Sequence, residues 1–550
     1  MNIPDCNHTS SPGEDSAALS PAPNDPQGLS LVTEPVRPDP GDQEYAAGRP
    51  IESRQHALLY DEGECETSPG YERFQPRPDY QIPVPAPIAP SGLLESAKFA
   101  EDILYYHHLR DSSPYGLLST LSLNDIFQAE HLDGAFFHAA LALSALSISV
   151  SNAPEPLVAK ASLHALDHFV TALGSIRSAH LDDSDDQSAQ AETFVLPQGR
   201  YMAISWLATI IFLAYFELQR GQLKLWYIHC RAALAFLSQN LSSVRASAAG
   251  ESLTRSFARI ASLLEIYDRT YSDISRIAST DVSESLMLSL ANSPYHADRL
   301  LCILPRVIEL EEKWRGNPQH DTLWRQQAEH LVDELEAWRE NLPAAEAPLA
   351  QDEDKGKSFG IAEGPGFSVT PLTLVDARDP VKAATSFMHY LVSLLRLQTF
   401  YSPSSDRKSP PNAAATVHLI CRLAAGVSFT SCTTVNAYGH GMLPAMMNAY
   451  YMTDSAGCKE WIRGWIGRFP REREGIWNVR HAERLLTYVD EEYGRKGLRS
   501  GWRIIKVRMV DLDEEATPQG DEEEKQGDRL AVEIYSRNRM GWSVDYVDIP

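Results

Sequence analysis

The chain has 550 residues, 43% hydrophobic and 22% charged, with 74 acidic against 49 basic side chains and a formal net charge of −25. That length allows large buried cores, while the charge argues against bare nucleic acid as a partner of the whole chain, because polyphosphate affinity rests on Lys and Arg. Seven scattered cysteines without a CxxC pair argue against a disulfide framework and suit a reducing compartment.

The first residues, MNIPDCNHTSSPGED, lack a basic start and an apolar run, so a secretory signal is not expected. Residues 1–90 hold 16 of the 35 prolines and 15 acids against 5 bases. Such a segment donates few backbone hydrogen bonds and buries little, so it is read as disordered. Residues 91–508 carry 47 acids and 40 bases, and residues 509–550 carry 12 and 4. The two flanks therefore hold −18 of the −25. They are read as solvated tails or, alternatively, as interaction or activation segments.

From Ser91 onward the pattern is helix after helix. Ser91 is placed as the cap of a first helix with Leu93, Ala97, Ala100 and Leu104 on one stripe. Asp133 precedes GAFFHAALALSALSISV, apolar nearly all round and so expected to be central. Periodic segments follow at 155–180, 199–219, 222–240, 251–278, 296–315, 320–341, 379–401, 412–430 and, in pieces, 455–495. Pro154, Gly221, Pro294, Pro318, Pro343 and Pro470 punctuate them. The window Met202 to Leu218 is the most apolar, but it is flanked by Arg200, Glu217 and Arg220, which favours a buried bundle helix over a membrane span. A long surface loop is expected between Pro343 and Asp379. Two strand-like runs, 503–512 and 529–537, are expected to pair as a hairpin. The fold class is all-α, an irregular multi-helix bundle with a disordered Pro-rich N-terminus and a small C-terminal β-hairpin. Its divisions are placed at 1–90, 91–500 and 501–550.

No GxSxG, Walker-type loop, GxGxxG or HExxH occurs. Three constellations remain. His164 and His168 share a helix face and could hold a metal together, or they are surface or boundary histidines beside Leu163, Leu166, Phe169 and Val170. Tyr438, His440 and Met442 lie in NAYGHGMLP, either a ligand pocket or a tight turn between packed helices. Residues 458–508 carry 13 bases against 7 acids, including Arg463, Arg468, Arg471, Arg473, Arg480 and Arg484. They form either a nucleic-acid surface or, because Glu472, Glu474, Glu483 and the acids 490–492 alternate with them, a salt-bridged solvent face. No catalytic or metal-binding residue is assigned, no cofactor is expected, and the residues of any ligand pocket stay unassigned.

The order FAEDILYYHHLRDSSPYG, GAFFHAALALSALSISVS and MLPAMMNAYYMTDSAGCKEWIRGWIGRFPREREGIWNVRHAERLLTYVDEEYGRKG resembles the fungal-specific transcription factor domain, the helical middle region of fungal zinc-binuclear-cluster regulators. The last block is the most specific. Trp461, Trp465, Trp477, Val479, Ala482, Leu485 and Leu486 fit the family's pattern of a basic, aromatic helix, a loop and a helix of the form W-N-V-x-x-A-x-x-L-L. The resemblance implies a non-enzymatic nuclear regulator of a catabolic or secondary-metabolite gene set. Its helical body would check activation, dimerise or sense metabolites, and its acidic flanks would contact the transcription machinery or other regulators. Family members usually begin with six cysteines on two zinc ions. Here only Cys6 and Cys65 precede residue 200, so DNA contact is expected only indirectly or through a missing N-terminal module. Ser11, Ser20, Ser68, Ser402, Ser409 and Thr517 each precede Pro and are candidate phosphorylation positions. The alternative reading is an all-helical small-molecule-binding protein or enzyme.

Overall fold

The computed structural model describes residues 97–112, 134–150, 155–182, 200–271, 281–316, 321–348, 367–374, 377, 379–401, 413–436, 439–470, 472–495, 503–510, 530–538 and 541–549. The Pro-rich segment 1–90, Ser91 and the six candidate phosphorylation positions named above lie outside them.

Fifteen helices are described. The first group is α1 (Asp102–Ser112), α2 (Gly134–Ser149), α3 (Glu155–Asp182), α4 (Arg200–Gln219) and α5 (Leu223–Arg245). Next come α6 (Ala248–Tyr271), α7 (Asp281–Ala291), α8 (His296–Gly316), α9 (Asp321–Glu340) and α10 (Pro380–Tyr401). The closing group is α11 (Ala413–Ala425), α12 (Phe429–Val435), α13 (Leu443–Met452), α14 (Ala456–Ile466) and α15 (Val479–Arg495).

The two helices that are apolar all round are the central ones. In α4 every residue from Ala203 to Leu218 is buried, and α2 is buried from Ala135 to Ala145. α2 packs on α1, α3 and α4, whereas α10 joins α8 and α9 to the closing group through α11, α12 and α13. A helix without a polar face has to be surrounded. Among the described residues no helix is long and apolar enough to cross a membrane.

Several expectations change. α1 begins at Asp102, and Leu104 is exposed while Asp102, Tyr105, Tyr106 and Leu109 are buried, so the expected stripe through Leu104 is not the buried one. The Asp102 carboxylate accepts the backbone N–H groups of Lys98 and Phe99 at 2.6 and 3.0 Å, the reach-back half of a capping box. α6 is described as far as Tyr271, and the rest of the expected segment to 278 lies outside the described residues, while α7 is a helix that the periodicity did not yield. Its serines lower helix propensity, and burial of Val282, Leu286 and Leu290 holds it.

The segment 412–430 is two helices broken at Gly426, where a Cβ would meet the Leu372 carbonyl oxygen at 2.0 Å. That oxygen belongs to the end of the expected surface loop, which is not wholly a surface element. Leu372 N–H donates to the Arg422 carbonyl, Arg422 Nε donates to the Thr370 carbonyl, and Leu374 is buried.

The C-terminal hairpin is correct in its pairing but incomplete. β3 (Arg503–Val510) and β4 (Leu530–Asn538) are antiparallel, and β5 (Gly541–Ile549) adds a third strand to the other edge of β4. A second, two-stranded hairpin joins β1 (Arg473–Glu474) to β2 (Trp477–Asn478).

Candidate functional site

The block that carries the family resemblance closes on one buried carboxylate. Glu474 sits at the end of β1, and Gly475, with φ 59°, opens the two-residue turn into β2. This turn aims Glu474 inward, where it is fully buried. Oε1 accepts the N–H of Met442 at 2.8 Å, Nδ2 of Asn436 at 2.9 Å and the Cys432 thiol at 2.8 Å. Oε2 accepts the N–H of Leu443 at 2.6 Å. Met442 offers no side-chain cap to α13, so a carboxylate 31 residues away takes that role. It satisfies orphan donors and places negative charge at the positive end of the helix.

The facing turn is tied from two more sides. Trp477 Nε1 donates to the His440 carbonyl at 2.9 Å, and His389 Nε2 meets the Gly441 carbonyl at 2.7 Å. Gly441 has φ 70°, and a Cβ there would lie 2.8 Å from the Glu474 carboxyl carbon. Of the two readings of NAYGHGMLP, the geometry of His440 to Met442 is that of the tight turn. Tyr438 lies outside the described residues. Burial raises the Glu474 carboxyl, against the pull of Cys432, Met442, Leu443 and Asn436. Burial also lowers His389 to about 4 and His440 to about 3, so both rings stay neutral at ordinary pH. Reading Glu474 as a solvent-face acid is therefore corrected. Nothing in the charge pattern separates it from Glu472. The signal that could have found it is the following Gly475.

Within the basic segment, Arg463 and Arg480 are held in ion pairs. Arg463 Nη2 reaches the Leu486 carbonyl at 2.8 Å and Asp490 at 2.9 Å. Arg480 pairs with Glu472 at 2.6 Å, and Arg468 Nε donates to the Gly464 carbonyl. Arg473 lies over Gly221, where a Cβ would meet its Nε at 2.8 Å. This arrangement fits the salt-bridged face, with Arg471 outside the described residues. On α15 the apolar side chains Val479, Ala482, Leu485, Leu486 and Val489, at spacings of three and four, are buried, and the buried Ile476 precedes them.

His164 and His168 take different partners. Tyr105 and His164 share a 2.9 Å hydrogen bond, and the His164 ring stacks on Phe99. His168 is fully buried, with Nε2 3.0 Å from Asp102 Oδ1 and Nδ1 2.9 Å from Nδ1 of His138. The chain Asp102–His168–His138 thus ties α1, α3 and α2 together. Burial pushes the Asp102 carboxyl up, but the bonds from His168 and from the Phe99 and Lys98 N–H groups outweigh it and lower the carboxyl overall. Burial holds His138 to about 4.

The apolar residues beside the two histidines divide between the faces of α3. Leu163, Leu166, Val170 and Leu173 are exposed, while Ala161, Ala165, His168, Phe169 and Ala172 face inward. Alanines let α2 approach closely, and that close fit outweighs the larger apolar stripe. The lone histidine in the apolar run of α2 was the available signal for His138.

No curated protein and no solved structure matches the chain. Residues 109–503 match the family described as the fungal specific transcription factor domain. That span runs from α1 through the Glu474 turn and α15 to the start of β3, and on it the chain belongs to the fungal-specific transcription factor domain family.

Proposed function

We propose that this fungal transcription regulator acts in the nucleus and controls a metabolic gene set, catabolic or secondary-metabolite, through the helical body at about 91–500. The observation that carries the reading is the family match over 109–503. Its most specific residues, Trp465, Trp477, Val479, Leu485 and Leu486, are buried as packing elements. Glu474 and His440 serve helix capping and turn closure, which supports a scaffolding role for the body rather than a reaction centre. The acidic flanks 1–90 and 501–550 contact the transcription machinery or other regulators, and DNA is reached only indirectly or through an N-terminal module. The exposed row Leu163, Leu166, Val170 and Leu173 supports protein contact, including pairing with a like or related chain.

Chromatin occupancy of the tagged protein, with transcript profiling of a deletion strain, tests this. Nuclear signal at promoters of a coherent metabolic set is expected. Uniformly cytosolic protein with an unchanged transcriptome would overturn it.

A further inference from the structure

The closing group of helices holds two reduced thiols facing each other. Cys421 on α11 and Cys458 on α14 have their sulfurs 3.8 Å apart. A disulfide needs about 2.05 Å, so the two sulfurs have to draw together by about 1.8 Å. The two helices are already coupled beside this pair, since Trp465 Nε1 donates to the Ala424 carbonyl at 3.3 Å.

The two cysteines are not equivalent. Cys458 is the third residue of α14, behind the Ser455 cap, whose Oγ accepts the Cys458 N–H. Helix N-termini favour a thiolate. A hydrogen bond from Cys421 leads in lowering the Cys458 thiol, with help from Thr453 and Lys459 and against burial. The same bond, with burial, raises Cys421. Cys458 is 3% exposed, and Asp454 and Ala456, four and two positions earlier in the chain, are exposed. A molecule the size of a peroxide reaches it when the first turn of α14 opens locally.

We propose that Cys458 and Cys421 form a peroxide-sensitive dithiol, with Cys458 as the attacking sulfur and Cys421 as the resolving one. The Cys458 thiolate attacks one oxygen of hydrogen peroxide. The O–O bond breaks, and the departing hydroxide takes up a proton as water, leaving a sulfenic acid on Cys458. Cys421 then gives up its proton and its sulfur attacks the Cys458 sulfur. The S–O bond breaks, a second water leaves and the disulfide forms. Two thiols lose two electrons and one peroxide gains them. The product locks α11 to α14 within the block that carries the family pattern.

The test uses the full-length reduced protein and hydrogen peroxide, followed by alkylation, digestion and mass spectrometry. It is independent of the transcriptional reading. Cys302 is the internal control, because it is more exposed than Cys458 yet its thiol is pushed up to about 12 by burial and Asp298. The expected result is a Cys421–Cys458 linked peptide, with loss of free Cys458 roughly tenfold or more faster than loss of Cys302. In Cys421→Ser the sulfenic acid persists and is captured by dimedone at Cys458, whereas in Cys458→Ser residue Cys421 stays reduced. Absence of the linked peptide in the wild-type protein, or oxidation of Cys302 ahead of Cys458, overturns the proposal whether or not the variants fold.

Discussion

The Glu474 carboxylate accepts the main-chain N–H of Leu443 at 2.6 Å and so caps a helix that begins 31 residues earlier in the chain. One buried side chain thereby joins the β1–β2 hairpin to the start of α13. Removing it leaves the donors of Met442, Leu443, Asn436 and Cys432 without that acceptor in a dry interior. Glu474→Ala is expected to cost about 3–5 kcal/mol, measured by urea unfolding. A loss under about 1 kcal/mol would show that the carboxylate is dispensable.

The two glycines of the turn should behave differently. Gly441 has positive φ and no room for a Cβ, whereas a Cβ at Gly439 meets nothing within 4 Å. Gly441→Ala is expected to destabilise by about 1–3 kcal/mol, and Gly439→Ala by no more than about 0.5 kcal/mol. Equal thermal midpoints for the two variants would contradict the close approach of Glu474.

Two ion pairs offer a second contrast. Arg396 makes a bidentate pair with Glu311 between α10 and α8, and both side chains are nearly buried. Arg306 and Glu334, also bidentate, lie at the surface. Glu311→Ala removes the bidentate partner of a buried guanidinium and is expected to cost about 3–5 kcal/mol, while Glu334→Ala costs under about 1 kcal/mol. Denaturant titration of both variants at one pH checks the order.

Acid sensitivity follows from the buried histidines. His138 and His389 are held to about 4 and His440 to about 3, below the ordinary 6.5. The unfolded chain binds protons as pH falls through 6.5 and the folded chain does not. Their contribution is therefore complete above 6.5 and is lost as pH falls toward 4, at roughly 2 kcal/mol per histidine by pH 5. Glu474, raised by burial, gives the opposite slope above its ordinary 4.5. Thermal midpoints between pH 7 and 5 should fall, and His389→Gln, which keeps a donor for the Gly441 carbonyl, should flatten the slope. A profile that is level in the wild type would count against these assignments.

Much of the fold was legible from local pattern. The runs that became α2 and α4 are apolar on every side, and no tertiary detail is needed to place such helices at the centre. The α15 stripe from Val479 to Val489 was equally readable, because its spacing leaves one apolar face to bury. The strands β3 and β4 came from their β-branched residues, while β5, with Gly541, Ser543 and two aspartates, carried a weaker signal.

The candidate site was much less so. On α3 two stripes competed, one of leucine and valine and one of alanine with His168. Periodicity gives an angle around the helix but does not say which side another helix will approach. Close fit against α2 decided that, and with it the burial of His168 beside Asp102 and His138. Glu472 and Glu474 are both acids among bases, separated only by the alternation of a strand and by the turn at Gly475. Cys421 and Cys458 are 37 residues apart, and their pairing exists only once α11 and α14 pack.

The sequence by itself determined the helical class, the central helices and the family pattern, because these depend on the order of apolar residues along the chain. Which polar groups are buried, and which side chains meet, was decided only by the tertiary structure. Desolvation and hydrogen bonding depend on neighbours brought from 30 or more positions away.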